Sequence, residues 1–219
     1  MLAILLKDLR IEWRTKETLA ALLLLGLLIL VVLSFAFDPT SRLRETAAPG
    51  VLWVAVAFAG TLGMNRSLLL ERENDCLQGL LLAPVDRGAI YLAKTAANFT
   101  FMAAVQVVLV PLFVFFFNLP FWPTVSGVGP VLALGLLGFA AVGTMFAAVS
   151  LRTRAREVML PLLMLPLAAP LLIAGIQASA ALMAGQPLAA VAHWLNLLAA
   201  FDAVFLVVGW MAFEYVVAD

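Results

Sequence analysis

The chain has 219 residues, of which 65% belong to the apolar AVILMFWYC set and 12% are charged. A soluble domain carries about 25% charge, so a mean hydropathy of +1.10 excludes a water-coated globule and leaves an integral membrane protein. Thirteen basic and thirteen acidic residues cancel, giving no overall charge that points to nucleic acid, and the single Cys76 can form neither an internal disulfide nor a thiolate metal cluster.

In chain order, residues 1–17 predict an amphipathic helix. Leu2, Leu5, Leu6, Leu9 and Trp13 recur at helical spacing, while Lys7, Arg10 and Arg14 share another sector. Two readings fit: a basic leader that only sets topology, or an interfacial helix in the headgroup layer that bends into the first span. A charge-free run then predicts a first span at 19–37, long enough at ~1.5 Å per residue to cross a hydrocarbon core of roughly 30 Å. No small-residue cleavage site follows it, so it reads as a retained span. A second span is predicted at 48–66.

Residues 66–94 form the longest polar stretch. Glu71, Arg72, Glu73 and Asp75 stand beside Leu77, Leu80, Leu81 and Leu82, and Pro84 closes the segment. This predicts a short amphipathic helix at 71–83, readable as a docking element for a partner or as a helix resting on headgroups. Asp86 is placed as the N-cap of the next helix, with Lys94 as its anchor. Spans three and four are predicted at 95–118 and 129–150, separated by the helix breakers from Asn118 to Pro130. The fifth, at 158–180, carries Pro161, Pro166 and Pro170, each expected to kink it and to turn toward neighbouring helices that satisfy the freed carbonyls. Residues 174–192 are a candidate re-entrant segment, and a sixth span follows at 194–217.

Eleven Lys and Arg residues fall on the side of both termini and two, Arg42 and Arg44, on the other. The positive-inside rule then puts both termini in the cytoplasm. The expectation is therefore an all-α integral membrane protein, residues 1–219 forming one permease domain. It has six transmembrane helices, an N-terminal interfacial helix and a cytoplasmic helix between spans two and three.

Chemistry is sparse. Lys94-Thr95 lacks the glycines of a phosphate loop, and His193, the only histidine, reads as an interfacial anchor rather than a haem ligand. Asp202 is the one acidic residue deep in a span, about two turns from the predicted outer end. It is the candidate intramembrane functional residue, with a water-accessible or hydrogen-bonded structural role as the other reading. Asn98, Gln106, Gln177 and Asn196 are predicted interhelical hydrogen-bonders, and Phe113, Phe115, Phe116 and Phe117 are read as lipid-facing or core. No catalytic, metal or cofactor site is predicted.

The order of elements resembles the permease of an ABC-2-type exporter. The string Ala48-Pro49-Gly50-Val51-Leu52-Trp53-Val54-Ala55 narrows this. So do Leu70-Glu71-Arg72 with Asp75 and Leu77 to Pro84, then Leu92-Ala93-Lys94. Leu165-Pro166-Leu167 and Pro170-Leu171-Leu172-Ile173 complete the pattern. Together they are similar to the haem exporter protein B family (CcmB) of cytochrome c maturation, over nearly the whole chain. That resemblance implies a multi-pass subunit of the bacterial cytoplasmic (inner) membrane with no catalysis of its own. It implies a coupling helix in which Glu71, Arg72, Asp75, Leu77, Leu80, Leu81 and Pro84 dock on a separate cytoplasmic ATPase. The implied partners are the haem-handling membrane protein C, the small protein D and the periplasmic haem chaperone E, whose haem-loaded form is released on ATP hydrolysis. ATP would act through the partner and haem would be cargo, and the arrangement permits a permease homodimer. The alternatives are an ABC-2 permease for a polysaccharide or lipid-like substrate, and a proton-coupled secondary transporter using Asp202. The second would want further intramembrane charges or an inverted repeat, and neither is visible.

Overall fold

The computed structural model describes residues 2–37, 42–73, 86–150 and 156–217. Its helices are α1 (Leu2–Thr15), α2 (Glu17–Ala36), α3 (Arg42–Glu73), α4 (Arg87–Phe117), α5 (Phe121–Ser150), α6 (Arg156–Met183) and α7 (Ala192–Val217). A 3-10 turn at Leu188–Val191 precedes α7. Six of these, α2 to α7, are long and apolar enough to cross a membrane. The all-α, six-span expectation holds. The start of α1 and the end of α7 lie on one face of the bundle, the terminal face; the end of α2 and the turns after α4 and α6 lie on the other, the distal face.

α3 and α5 are the centre. α3 packs against α2, α4, α5 and α6, and α5 against α3, α4, α6 and α7. α2 buries fully only one narrow stripe, Thr18, Leu22, Gly26, Leu30 and Ser34, every fourth residue, with Leu19, Leu23, Leu27 and Leu33 half-buried beside it. Its Leu24, Leu28, Val32 and Phe35 point outward. Side chains four apart stack on one ridge, and such a ridge fits a single groove between two neighbours.

Several boundaries move from their predicted places. α3 runs unbroken for 32 residues, about 48 Å at the helical rise, well beyond the hydrocarbon core. Its apolar span ends at Met64, so residues 65–73 continue the same helix past it. The predicted break at residue 66 is absent because no Gly or Pro stands between Met64 and Glu73. The breakers between spans three and four act only at Asn118–Pro120. Asn118 adopts φ 53°, its N–H donates to the Phe115 carbonyl (3.3 Å) and that of Leu119 to the Val114 carbonyl (3.0 Å). That is the pair of bonds that closes a helix around a left-handed residue. Pro123 then falls in the first turn of α5, where no intrahelical N–H is required, and Pro130 lies within the helix.

α6 carries Pro161, Pro166 and Pro170 inside one continuous helix. The expectation that they turn toward neighbours fails for two of them, since Pro166 and Pro170 are exposed. The inward stripe is Leu160, Met164, Ala168, Leu171, Ala174 and Ala178, and small residues there allow α5 and α3 to approach closely. The re-entrant expectation for 174–192 also gives way. α6 continues to Met183 and ends at Gly185 (φ 82°), where Gln186 and Gly185 donate to the carbonyls of Ala181 and Leu182, both at 3.0 Å.

Candidate functional site

The predicted docking residues divide at the end of α3. Glu71 and Arg72 sit on its last turn, beyond the apolar span, while their side chains, and Asp75, Leu77, Leu80, Leu81 and Pro84 entirely, lie outside the described residues. The chain returns at Asp86, which occupies the N-cap position of α4 as expected but makes no side-chain capping bond. The amide groups of Ala89 and Ile90 instead donate to its backbone carbonyl, at 3.0 and 3.3 Å. The projecting end of α3 and the start of α4 both lie on the terminal face.

Beside it lies a charge pair the sequence reading did not single out. Lys94, two turns into α4, is 2% exposed, and its ammonium donates to the carboxylate of Asp8 on α1. Asp8 also meets Lys7 at 3.2 Å. A nearly buried ammonium requires a counter-ion, and α1 supplies it. Around the pair, Ile4 packs into a cluster with Ile90, Tyr91, Ala93, Ala148 and Phe213. The bend predicted between interfacial helix and first span is a single residue, Lys16, at φ 56°. Ile4 and Asp8 face the bundle, whereas Leu6 of the leucine stripe is 52% exposed and Leu5 and Leu9 are half-buried.

The intramembrane polar groups fall into three sets. Tyr91 is fully buried, and its hydroxyl lies 3.0 Å from the Ala141 carbonyl and 3.1 Å from that of Phe205, joining α4, α5 and α7. Asn98 donates to the Thr144 hydroxyl at 2.9 Å, as predicted. Gln106 is buried, but its side-chain oxygen has no partner among the described residues. Gln177 and Asn196 are exposed, so the interhelical role assigned to them is not realised.

Asp202 lies ten residues into α7, about 15 Å along it, nearer mid-membrane than its predicted depth because α7 starts earlier than expected. It is 3% exposed, and neither carboxylate oxygen has a hydrogen-bond partner among the described residues. The hydrogen-bonded structural reading therefore finds no protein donor there. Its space is made by Gly138 of α5: a Cβ at that position would come within 2.3 Å of Oδ1.

Trp53, in the Pro-Gly-x-x-Trp string, fills a slot between α5 and α6. It is 1% exposed, its indole N–H donates to the Ser179 hydroxyl at 3.0 Å, and a Cβ on Gly135 or Gly175 would come within 2.1 or 2.3 Å of the ring. On the distal face a cleft of about 480 Å³ is lined by Glu45, Thr46, Asn118, Pro120 and Met183, among others. Arg44 turns away from it, donating to the Phe116 carbonyl and lying 5.4 Å from the Phe117 ring centre. His193 is exposed beside Trp194, with ring centres 4.8 Å apart. The phenylalanine cluster splits, Phe113 and Phe117 entering the core and Phe115 facing outward. Among the described residues no group of three metal-ligating side chains occurs.

Comparison with known proteins covers the same stretch of chain. Heme exporter protein B of Pseudomonas aeruginosa is 29% identical over 201 residues, 90% of this chain and 88% of that protein. The protein of that name from Rhodobacter capsulatus is 30% identical over 179 residues, 80% of each chain. The one from Bradyrhizobium diazoefficiens is 26% identical over 207 residues, 94% of this chain and 92% of that protein. The family model described as CcmB protein matches residues 1–218, and the chain belongs to that family.

Proposed function

We propose that this chain is the permease subunit of an ABC transporter complex that serves cytochrome c maturation. In this reading it couples ATP hydrolysis by a partner to haem handling and to release of a haem-loaded periplasmic chaperone. The observation that carries the reading is the match to the CcmB family over residues 1–218, together with relatives named for heme export that align along most of the chain.

The geometry supports a division of labour. With eleven of thirteen basic residues on the terminal face, that face is cytoplasmic and the membrane is the bacterial inner membrane. α3 then carries Glu71 and Arg72 beyond the bilayer toward the ATPase. Leu77, Leu80 and Leu81 supply apolar area to the docking site, Glu71, Arg72 and Asp75 fix its orientation, and Pro84 ends it. Hydrolysis belongs to the partner, so the chain itself is not an enzyme. Haem is the cargo or the substance handled by neighbouring subunits, with ATP acting at a distance.

Co-expression tests this. Pull-down of the tagged chain should bring an ATPase together with a haem-handling membrane subunit. An ATPase alone, with maturation of cytochrome c unaffected by deletion of the chain, would favour a permease for another substrate. Leu80→Ala with Glu71→Lys should lower ATPase recruitment and maturation together while membrane insertion persists, because neither residue lies in a span.

A further inference from the structure

The cleft on the distal face, about 480 Å³, has the size of a small-ligand site, and its walls are fixed before anything enters. The turn that carries Asn118 and Leu119 is closed by its two backbone bonds to the end of α4. The end of α6, which contributes Ala180, Met183 and Ala184, is closed by the amides of Gly185 and Gln186. One turn below Pro49, Trp53 donates to Ser179, the neighbour of Ala180, and ties α3 to α6 beneath the cleft. A preformed site loses little binding energy to its own ordering.

The charge of the cleft has one sign. Glu45 is exposed and forms no ion pair among the described residues. Its neighbour Arg44 is held at the end of α4 by the Phe116 carbonyl and the Phe117 ring, where it offsets the negative end of that helix. α6 ends in the cleft with no basic residue in its last turn, and α3 begins there with Glu45 in its first turn. These two helix ends, each about half an elementary charge and opposite in sign, cancel and leave the Glu45 carboxylate to set the field.

We propose that the cleft binds a lysine or arginine side chain, with one apolar neighbour, from a segment of a periplasmic protein. The cationic head meets Glu45, and the alkyl stem and the neighbour lie against Leu119, Pro120 and Met183. The carboxylate repels anions, the propionates of haem included. A lipid amine would suit Glu45, but its acyl chains would need an apolar way down between α3 and α6, and Trp53 fills it. The inference deepens the permease reading and rests on it for the side of the membrane and for a protein partner there.

The test uses the full complex, co-expressed with its periplasmic partner, with the photocross-linker p-benzoylphenylalanine in place of Ala184, which is exposed at the rim. A second chain carries it in place of Met183, so that a disturbed rim does not decide the result. Irradiation should join both positions to a segment of a periplasmic protein that contains a lysine or arginine, mapped by mass spectrometry. At equal amounts of assembled complex, Glu45→Gln should lower the yield at least fivefold. Raising the salt from about 0.05 to about 0.5 M should lower it similarly, as screening shortens the reach of an exposed charge pair. Glu45→Lys should abolish the cross-link, and changing the mapped basic residue to glutamate in that background should restore at least half of it.

A product with lipid alone, a cross-link to a segment without a basic residue, or a yield indifferent to Glu45→Gln would overturn the proposal. So would a charge exchange that restores nothing. The two readings fail separately. If deletion of the chain leaves cytochrome c maturation intact while the Glu45-dependent cross-link persists, the permease reading falls and the cleft assignment stands. If maturation needs the chain and no such cross-link forms, the cleft assignment falls alone.

Discussion

α2 and α3 are neighbours in sequence and in space, yet they face opposite problems. α2 is almost pure Leu, Ala and Val and buries 22% of its span, whereas α3, with Pro49, Trp53, Gly60, Thr61 and Gly63, buries 72%. Burial differs as much between α5, also 72% buried, and α7, at 17%, although these two are about equally apolar. In water the most apolar helix would be the innermost. In lipid the acyl chains are as apolar as leucine, so burial within protein is gained by packing shape and hydrogen bonds rather than by removal from water. In this pair the more apolar helix, α2, is the one left to lipid, while glycine, threonine and tryptophan mark α3 as central.

The largest expected effect breaks the centre where it is most closely fitted. Trp53→Ala should cost about 3 kcal/mol, the low end for tryptophan truncation in aqueous cores, because the slot between Gly135 and Gly175 loses its contacts while the water-transfer part is small in lipid. The loss should appear in unfolding by denaturing detergent. A cost below about 1 kcal/mol would mean that α5 and α6 close over the space and that the glycines are not matched to the ring.

Gly138→Ala comes next. Its Cβ would come within 2.3 Å of Asp202 Oδ1 and 2.4 Å of Leu171 Cδ1, and overpacking of this kind costs about 1–3 kcal/mol. Asp202→Ala in the same chain should return part of that loss; no recovery would place the strain on Leu171. Asp202→Asn alone is expected to preserve assembly and most cytochrome c maturation, since the amide keeps the size and hydrogen-bonding capacity of the group. Complete loss of maturation with normal assembly would show that the carboxylate itself acts on a proton or ligand.

How much of this was readable in advance follows from which signals are local. Charge spacing marked the apolar stretches, because a charge is costly anywhere in a hydrocarbon core, and the helix breakers divided the long ones to give six spans. Helix ends were less legible. Pro130 was read as part of a turn but lies within α5, and Pro166 and Pro170 were expected to face protein but face outward. A membrane helix tolerates proline inside a continuous run, so the residue type does not fix the break. Which polar residues met partners depended on helix rotation: Asn98 faces Thr144, whereas Gln177 and Asn196 face out, and one sequence carries only a weak signal for that. Asp8 was missed because the visible pattern on α1 is its leucine stripe, whereas the contacts described for it run through Ile4 and Asp8. A rarer sign was available, the carboxylates at positions 8 and 12 among Lys7, Arg10 and Arg14, which place two acids one turn apart on a helix whose other charged side chains are basic.

Asn98→Ala should have a smaller effect, about 0.6–1.7 kcal/mol, the range for interhelical hydrogen bonds in membrane proteins. The double variant with Thr144→Ala should cost little more than the single one, since each removes the same 2.9 Å bond. Full additivity in that cycle would show that the two groups do not interact and would separate the buried α4–α5 contact from the polar network of the centre.

The smallest effect is expected on α2 and is the sharpest test of the comparison. Leu28 is 59% exposed on the isolated chain, and replacing it by alanine should change stability by no more than about 0.5 kcal/mol, because lipid fills the space the side chain leaves. The measurement is detergent unfolding of the purified chain, followed by the yield of the complex after co-expression with its partner subunits. Leu24 and Val32 share the outward face with it, so a triple alanine variant of Leu24, Leu28 and Val32 multiplies any small contact that exists. An unchanged chain and an unchanged complex would establish the α2 face as a lipid surface in both. A stable chain whose complex falls apart would show that another subunit, or a second copy of this one, covers the face. Apolarity would then mark an interface rather than lipid, and the contrast between α2 and α3 would hold only for the chain taken alone.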